Sequence, residues 1–110
     1  MSAQLFVVAT PIGHLDVITY RAIKVLKSVS VIAAEDTRTS AQLLKHFNIH
    51  TPLTACHEHN ESNKIEQLIQ RLINGENMAL ISDAGTPLIS DPGFKLVRAA
   101  QAHGIRVIPV

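Results

Sequence analysis

A twelve-residue segment late in the chain has the composition of a loop that binds a polar small molecule. Residues 82–93, SDAGTPLISDPG, contain two glycines, two prolines and two aspartates. Glycine lets the backbone approach a ligand closely, and proline stiffens that approach. An ordinary β–α connection accounts for the last part, because Asp91 can cap a helix that has Pro92 at its first position. The part from Asp83 to Leu88 is more than such a connection requires, and it therefore predicts a binding loop.

Two further polar segments could contribute to the same site. Thr10-Pro11-Ile12-Gly13 follows the first apolar run and is either a second binding loop or a plain turn. Neither loop has the spacing of G-x-G-x-x-G or of a Walker A motif, so the usual signatures of dinucleotide binding and nucleotide hydrolysis are absent. Glu35-Asp36-Thr37-Arg38 places two carboxylates beside a guanidinium. Such a group can hold a hydroxyl or an anion, and it can equally be an exposed ion-pair cluster.

A pair of histidines, His57 and His59, alternates around Glu58. On an extended segment both imidazoles point to the same side of the chain. Metal ligation needs a third protein ligand, and nothing fixes the geometry of His46 or His50 for that purpose. We therefore expect no metal site, and we interpret one of the pair as a possible proton acceptor near neutral pH.

The elements that must position these segments alternate between strands and helices. Short, partly β-branched apolar runs predict strands, and apolar residues at three-to-four spacing predict helices. The predicted order is strand 5–9, a helix from Asp16, strand 29–33, a short helix capped near Thr39 or Ser40, strand 52–56, a helix that stops at Gly75, strand 78–81, a helix capped by Asp91 that stops at Gly104, and strand 105–110.

This alternation predicts an α/β fold, a doubly wound and mainly parallel five-stranded sheet with helices on both faces. In such sheets, ligands bind outside the carboxyl ends of the strands, where the strand order reverses. Residues 10–14, 35–38 and 82–91 follow the first, second and fourth predicted strands. We therefore expect these three segments to meet at one edge of the sheet.

Composition narrows the class of protein. A length of 110 residues with 46% hydrophobic content predicts one domain with its own core, and the formal charge of +1 predicts no strong field toward nucleic acid or lipid. The single cysteine, Cys56, cannot form an intrachain disulfide and is expected in the core. Without a signal sequence or an apolar run of about 20 residues, we expect a cytoplasmic protein that does not span a membrane. Because the sequence stops at Val110 within an apolar strand, we expect a truncated domain, 1–110, whose second domain is missing.

A resemblance to a known family lies in four segments: ATPIGHLDVITYRAIKVL at 9–26, AAEDTRTS at 33–40, HEHNE at 57–61 and LISDAGTPLISDPG at 80–93. Together they resemble the small-subunit ribosomal RNA cytidine 2′-O-methyltransferases, a branch of the tetrapyrrole (corrin/porphyrin) methylases. The likeness extends from Leu5 to Val110, and its most specific part is the last segment. One departure is His14, where related sequences more often have asparagine, and only a modest change of hydrogen bonding is expected there.

The resemblance implies a two-domain methyltransferase, usually a homodimer, that binds S-adenosylmethionine (AdoMet) between its domains and not on a Rossmann-type glycine loop. In the family, a PGPSA-like turn after the last strand leads to the second domain, and that turn is absent from this sequence. Residues 35–38 and 57–61 match motifs near the substrate, which makes Arg38 and His59 candidates for substrate binding. Carried over position by position, the AdoMet contacts fall on Pro11, Gly13, Asp83, Ala84, Gly85, Leu88 and Ile89.

The implied reaction is attack of a cytidine 2′-hydroxyl of 16S ribosomal RNA, in the 30S particle, on the methyl group of AdoMet, with no role for DNA or a membrane. Sulfonium is a good leaving group, so the protein mainly aligns the reactants and helps to remove the hydroxyl proton. Glu35, Asp36 and His57 are candidates for that task, and the base could also lie in the missing domain. Two alternatives stay open: an AdoMet-dependent methylase of a tetrapyrrole or another small molecule, and a non-catalytic dimerisation or ligand-binding module.

Overall fold

The computed structural model describes residues 3–10, 18–56, 61–83 and 91–110, and for residues 10, 61–62, 82–83 and 91–94 it gives the backbone alone. Strands and helices alternate along these residues as predicted. None of the described helices is long and apolar enough to cross a bilayer. The elements are β1 (Gln4–Thr10), α1 (Tyr20–Ser28), β2 (Val31–Ala34), α2 (Thr37–His46), β3 (Leu53–Ala55), α3 (Glu61–Ile73), β4 (Met78–Asp83), α4 (Asp91–Ala102) and β5 (Arg106–Pro109).

The five strands form one sheet in the order β3-β2-β4-β1-β5, and every pair of neighbours is parallel. From β1 the chain passes to β2 and then to β3 at one edge. It then returns to β4, between β2 and β1, and ends with β5 at the other edge. This path confirms the predicted α/β fold, because parallel neighbours require crossover connections over the faces of the sheet.

A pair of helices covers each face of the sheet. Side chains of a strand point alternately to the two faces, so Ile32 packs with α1 and α2 whereas Ala33 packs with α3 and α4. Both faces of β2 are therefore buried, which explains why its sequence is apolar throughout. The buried apolar helix residues are Ala22, Leu26, Leu43 and Leu44 on the first face and Leu68, Ile69, Leu72, Leu96, Val97 and Ala100 on the second.

Three helices end through the same backbone turn. Asn48, Gly75 and Gly104 follow α2, α3 and α4 with φ angles of 57°, 95° and 73°. After each of them, the next N–H donates to a carbonyl five residues earlier, as from Ile105 to Ala100 at 2.9 Å. Such a left-handed residue ends a helix and satisfies its last carbonyls. The predicted stops at Gly75 and Gly104 are confirmed.

The starts of three elements differ from the prediction by two residues or more. Asp36, in an extended conformation, is the N-cap of α2, so the predicted cap near Thr39 or Ser40 is wrong. Strand β2 begins at Val31 and not at Val29, because Val29 still donates its N–H to the Val25 carbonyl at the end of α1. The first helix was predicted from Asp16, which lies outside the described residues, but α1 begins only at Tyr20, after the extended N-cap Thr19.

Two polar side chains fix the amino edge of the sheet. Thr51, just before β3, donates its hydroxyl to the Leu26 carbonyl near the end of α1 at 2.7 Å. Asn77, just before β4, accepts from the Gln4 N–H through its side chain at 2.9 Å and from the Ser30 N–H through its carbonyl at 2.9 Å. Because α1 ends at this amino edge, its first turn lies at the carboxyl edge.

Candidate functional site

The carboxyl ends of four neighbouring strands lie close together. Thr10 at the end of β1 pairs with Asp83 at the end of β4, and Ala34 at the end of β2 pairs with both Ile81 of β4 and Ala55 of β3. Adjacent strands are about 4.8 Å apart. The three polar segments identified in the sequence therefore leave the sheet from neighbouring strands at one edge, as predicted.

The chain leaves β1 and β4 toward opposite faces of the sheet. Helix α1, which follows β1, packs on one face, and α4, which follows β4, packs on the other. Where neighbouring strands connect in opposite directions, an open α/β sheet forms a crevice outside their carboxyl ends, and ligands bind there. The candidate site is therefore the edge at which Thr10 and Asp83 face each other.

Most of the predicted cofactor residues lie outside the described residues. Asp83 is the exception, because its backbone closes β4 opposite Thr10, next to the predicted crevice. The other six are Pro11, Gly13, Ala84, Gly85, Leu88 and Ile89, and His57 and His59 also lie outside. For these residues the AdoMet and substrate contacts stay predictions.

Asp36 is engaged in capping α2. Its carboxylate accepts from the backbone N–H groups of Arg38 at 3.0 Å and Thr39 at 3.2 Å, and from the Thr39 hydroxyl at 3.1 Å. The hydrogen bonds from the Thr39 backbone and hydroxyl, followed by the backbone hydrogen bond and the positive charge of Arg38, hold the pKa of this carboxyl below its usual value. A carboxylate held in this way is a weak proton acceptor, so the geometry favours a structural role for Asp36.

Glu35 differs from its neighbour. It directly follows β2 at the carboxyl edge, its side chain is exposed, and among the described residues it makes no hydrogen bond or ion pair. The Arg38 side chain is exposed as well, on the first turn of α2. Of the three candidate residues in this segment, Glu35 and Arg38 therefore have exposed side chains that a ligand can reach, whereas the Asp36 carboxylate is occupied by its hydrogen bonds.

Cys56 belongs to the core, as predicted. Its side chain is 1% exposed and packs among the residues between the sheet and helices α3 and α4. Its N–H donates to the Ala34 carbonyl at 2.8 Å, which continues the pairing of β3 with β2. The segment that contains His57 and His59 therefore starts beside Glu35, at the same edge of the sheet.

Tyr20 is a feature that the sequence analysis did not single out. It opens α1 at the carboxyl edge, with Thr19 as the N-cap that accepts from the Ala22 N–H at 3.1 Å. The Tyr20 side chain is 78% exposed. The sequence feature that could have indicated this exposed ring is an aromatic residue on the polar side of an amphipathic helix, opposite Ala22 and Leu26.

The sheet order and the parallel pairing of its strands define a doubly wound α/β domain. This chain belongs to the family described as Tetrapyrrole (Corrin/Porphyrin) Methylases, whose family model matches residues 4–110. The crystal structure of uroporphyrin-III-C-methyltransferase from Thermus thermophilus superposes on the whole chain with a TM-score of 0.74, over 47% of its own length. At 18% sequence identity this likeness concerns the fold alone.

Curated relatives are much closer in sequence. The Ribosomal RNA small subunit methyltransferase I of Pseudomonas aeruginosa is 67% identical over 111 residues, which is all of this chain and 39% of the relative. The protein of the same name from Xylella fastidiosa is 61% identical over 106 residues, 96% of this chain and 39% of the relative. The chain thus spans about two-fifths of the length of these relatives.

Proposed function

We propose that this chain is the N-terminal domain of a two-domain, homodimeric enzyme that uses AdoMet to methylate a cytidine 2′-hydroxyl of 16S ribosomal RNA in the 30S particle. The observation that carries this proposal is the 67% identity, over the whole chain, to a relative named for methylation of small-subunit ribosomal RNA. Family membership supports the methyl transfer. The cytidine, the 2′-oxygen and the dimer rest on the resemblance of the four sequence segments.

The groups described at the carboxyl edge of the sheet support the assignment of AdoMet to this edge. When it is bound, AdoMet supplies an activated methyl group on a positively charged sulfur. Two strand ends, Thr10 and Asp83, lie side by side there, and the exposed Glu35 carboxylate follows the next strand, so the edge combines backbone polar groups with negative charge. We assign AdoMet binding to the residues that the resemblance marks at this edge: Pro11, Gly13, Asp83, Ala84, Gly85, Leu88 and Ile89.

Within this proposal, Glu35 accepts the proton of the ribose hydroxyl. Its carboxylate is exposed and is not engaged within the described residues, which leaves its oxygens free to receive a hydrogen bond. Asp36 is a positioning residue, since its hydrogen bonds hold the first turn of α2 and the Arg38 backbone. The exposed Arg38 guanidinium binds phosphate or ribose oxygens of the RNA. His57 is kept as a second candidate for the proton and His59 for an RNA contact.

The proposal is tested in a chimera in which this chain replaces the matching 111 residues of the Pseudomonas aeruginosa relative. Purified chimera is incubated with methyl-labelled AdoMet and with small subunits that lack the modification, and in parallel with a tetrapyrrole substrate. We expect label in 16S ribosomal RNA and none in the tetrapyrrole. Label in the tetrapyrrole alone supports the small-molecule alternative, and label in neither supports a non-catalytic module.

A matched variant tests the cofactor loop. Gly85→Val should abolish AdoMet binding in calorimetry, because a branched side chain obstructs close backbone approach and disfavours positive φ. Gly104→Val, which follows the C-terminal end of α4, is the control and should retain the AdoMet affinity of the parent chimera. Equal affinity for all three folded proteins contradicts the assignment of this loop.

A further inference from the structure

Positive charge is concentrated on one side of the sheet. Helices α1 and α2 together carry five lysines or arginines and no aspartate or glutamate, whereas α3 and α4 together carry four basic and three acidic residues. Both α1 and α2 pack on the same face of the sheet. The formal net charge of +1 for the whole chain conceals this segregation. We call the outer surface of α1 and α2 the basic face; its cations are Arg21, Lys24, Lys27, Arg38 and Lys45.

All five cations of the basic face are exposed. Near the end of α3, Arg71 and Glu76 form an ion pair at 2.8 Å, whereas no ion pair within the described ranges involves a cation of the basic face. The acidic residues nearest in sequence are Asp16, which precedes α1 and lies outside the described residues, and Glu35 and Asp36 at one end of α2. Asp36 is already occupied by its capping hydrogen bonds. The cations of this face are thus available to an anionic partner.

Helical geometry directs these cations away from the core. At about 100° per residue, Lys24 lies about 200° around α1 from both Ala22 and Leu26, which are buried. On α2, Arg38 and Lys45 are seven residues apart, so they lie on one side of the helix, about 10 Å apart along its axis. A strand of nucleic acid rises about 3.4 Å per nucleotide, so each helix presents charge over about three nucleotides.

An exposed aromatic ring lies at the end of the basic face that is nearest the candidate site. Tyr20, 78% exposed, opens α1 at the carboxyl edge, and Arg38 lies in the first turn of α2 at that same edge. Aromatic rings beside cations are a common way to bind single-stranded RNA, because the ring stacks on a base while the cations contact phosphates.

We propose that the basic face is a docking surface for ribosomal RNA, on which the α1 and α2 cations contact phosphates that flank the target nucleotide and Tyr20 stacks on an unpaired base beside it. This inference rests on the proposed function and adds the surface that receives its substrate. A membrane is a poorer match, because an interfacial helix needs apolar side chains on its exposed side. Tyr20 and Ile73 are the large hydrophobic side chains exposed among the described residues, and Ile73 ends α3 on the other face of the sheet.

The test compares two triple variants of the chimera with equal loss of charge. The first, Arg21→Gln, Lys24→Gln and Lys27→Gln, neutralises the α1 part of the basic face. The control, Lys64→Gln, Arg98→Gln and Arg106→Gln, neutralises three cations on α3, α4 and β5. Thermal unfolding and AdoMet calorimetry establish that each variant is folded and binds the cofactor as the parent does.

Binding to small subunits is then measured against salt concentration. Each lost phosphate contact should lower the slope of log affinity against log salt by about 0.7 to 0.9, so the α1 variant should lose about two to three slope units. Its KM for small subunits should rise at least about tenfold with kcat nearly unchanged. The control should match the parent. Equal slopes and equal KM values for the two triple variants overturn the basic face as an RNA surface. A second result also overturns it: the parent binds anionic phosphatidylserine vesicles, and the α1 variant loses that binding but keeps the RNA affinity of the parent.

Tyr20 has its own pair of variants. Tyr20→Ala should weaken binding to small subunits about fivefold or more, because a base–aromatic stack is lost. Tyr20→Phe should retain the affinity, because it keeps the ring and loses only the hydroxyl. Equal affinity of the alanine variant and the parent contradicts stacking. Methyl transfer by the parent chimera reports on the proposed function, whereas the difference between matched variants reports on this surface, so the two can fail separately.

Discussion

Changing the adjacent carboxylates Glu35 and Asp36 one at a time separates proton transfer from helix capping. The Glu35 side chain is exposed and makes no hydrogen bond within the described residues, so Glu35→Gln should leave the unfolding temperature unchanged. Loss of a general base typically slows a reaction by about 100- to 10,000-fold. Because water reaches an exposed carboxylate and can partly replace it, we expect a value near the lower limit, about 100-fold.

Asp36→Ala should have the opposite effect, because it should lower the stability of the fold and leave the rate of methyl transfer nearly unchanged. It removes the acceptor of three hydrogen bonds, two from backbone N–H groups and one from the Thr39 hydroxyl, so the first turn of α2 loses its cap. We expect a lower unfolding temperature and, at a temperature where the variant is folded, a transfer rate close to that of the parent. Asp36→Asn is the matched control, because an amide oxygen still accepts from the backbone N–H groups and should restore part of the stability.

Both effects are measured on the chimera, by calorimetric unfolding and by single-turnover transfer of labelled methyl groups to small subunits. A wild-type rate for Glu35→Gln excludes this residue as the proton acceptor and directs attention to His57 or to the second domain. If Asp36→Ala instead abolishes transfer without lowering the unfolding temperature, the roles assigned to the two carboxylates are reversed.

Three further predictions concern stability. The pKa of Asp36 is lowered in the folded state, so its stabilising contribution is present above the unfolded pKa and is lost as the pH falls through the folded pKa. From about pH 6 down to about pH 3, the unfolding temperature should therefore fall less for Asp36→Ala than for the parent. Parallel curves for the two proteins contradict this. Leu26→Ala removes a fully buried side chain and should lower the free energy of unfolding by roughly 2–5 kcal/mol in denaturant titrations, whereas a loss below about 1 kcal/mol shows that the site collapses around the cavity. Gly104→Ala places a residue with a Cβ at a φ of 73° and should lower the free energy of unfolding by about 1–2 kcal/mol, although no atom obstructs the methyl group. The control Gln101→Ala, on the exposed side of α4, should leave the free energy of unfolding almost unchanged.

The alternation of strands and helices could be predicted from the sequence, because each element has its own period of apolar residues. The helix ends at Gly75 and Gly104 could be predicted too, since both residues adopt the positive φ that favours glycine. The start of α2 was not, because Asp36, Thr39 and Ser40 are all good capping residues. Only the extended backbone of Asp36, with its two accepted N–H groups, decides among them.

The position of the candidate site could be predicted from the order of strands and helices in the sequence, whereas the roles of its residues could not. Segments after the first, second and fourth strands had to share an edge once the sheet was parallel. Glu35 and Asp36 are chemically similar neighbours, and their residue types alone do not assign them different roles. What separates them is that the first turn of α2 directs its free N–H groups at Asp36 and leaves Glu35 exposed.

The net charge of the whole chain does not show the basic face. The polar side of the first helix, with Arg21, Lys24 and Lys27, was visible in the sequence, but a formal charge of +1 argued against an RNA surface. Whether the charges of α1 and α2 add or disperse depends on which faces of the sheet those helices cover. Both cover the same one, because the chain moves in one direction from β1 through β2 to β3.

The most direct test of the central claim is an alkaline hydrolysis ladder of 16S ribosomal RNA recovered after reaction of unmodified small subunits with the chimera and AdoMet. A ribose 2′-O-methyl group removes the hydroxyl that attacks the neighbouring phosphate, so the methylated nucleotide leaves a gap in the ladder. We expect a gap at one cytidine, which appears with the chimera and is absent when AdoMet is omitted or when Gly85→Val is used. A complete ladder together with incorporated label, or a gap at another kind of nucleotide, contradicts it.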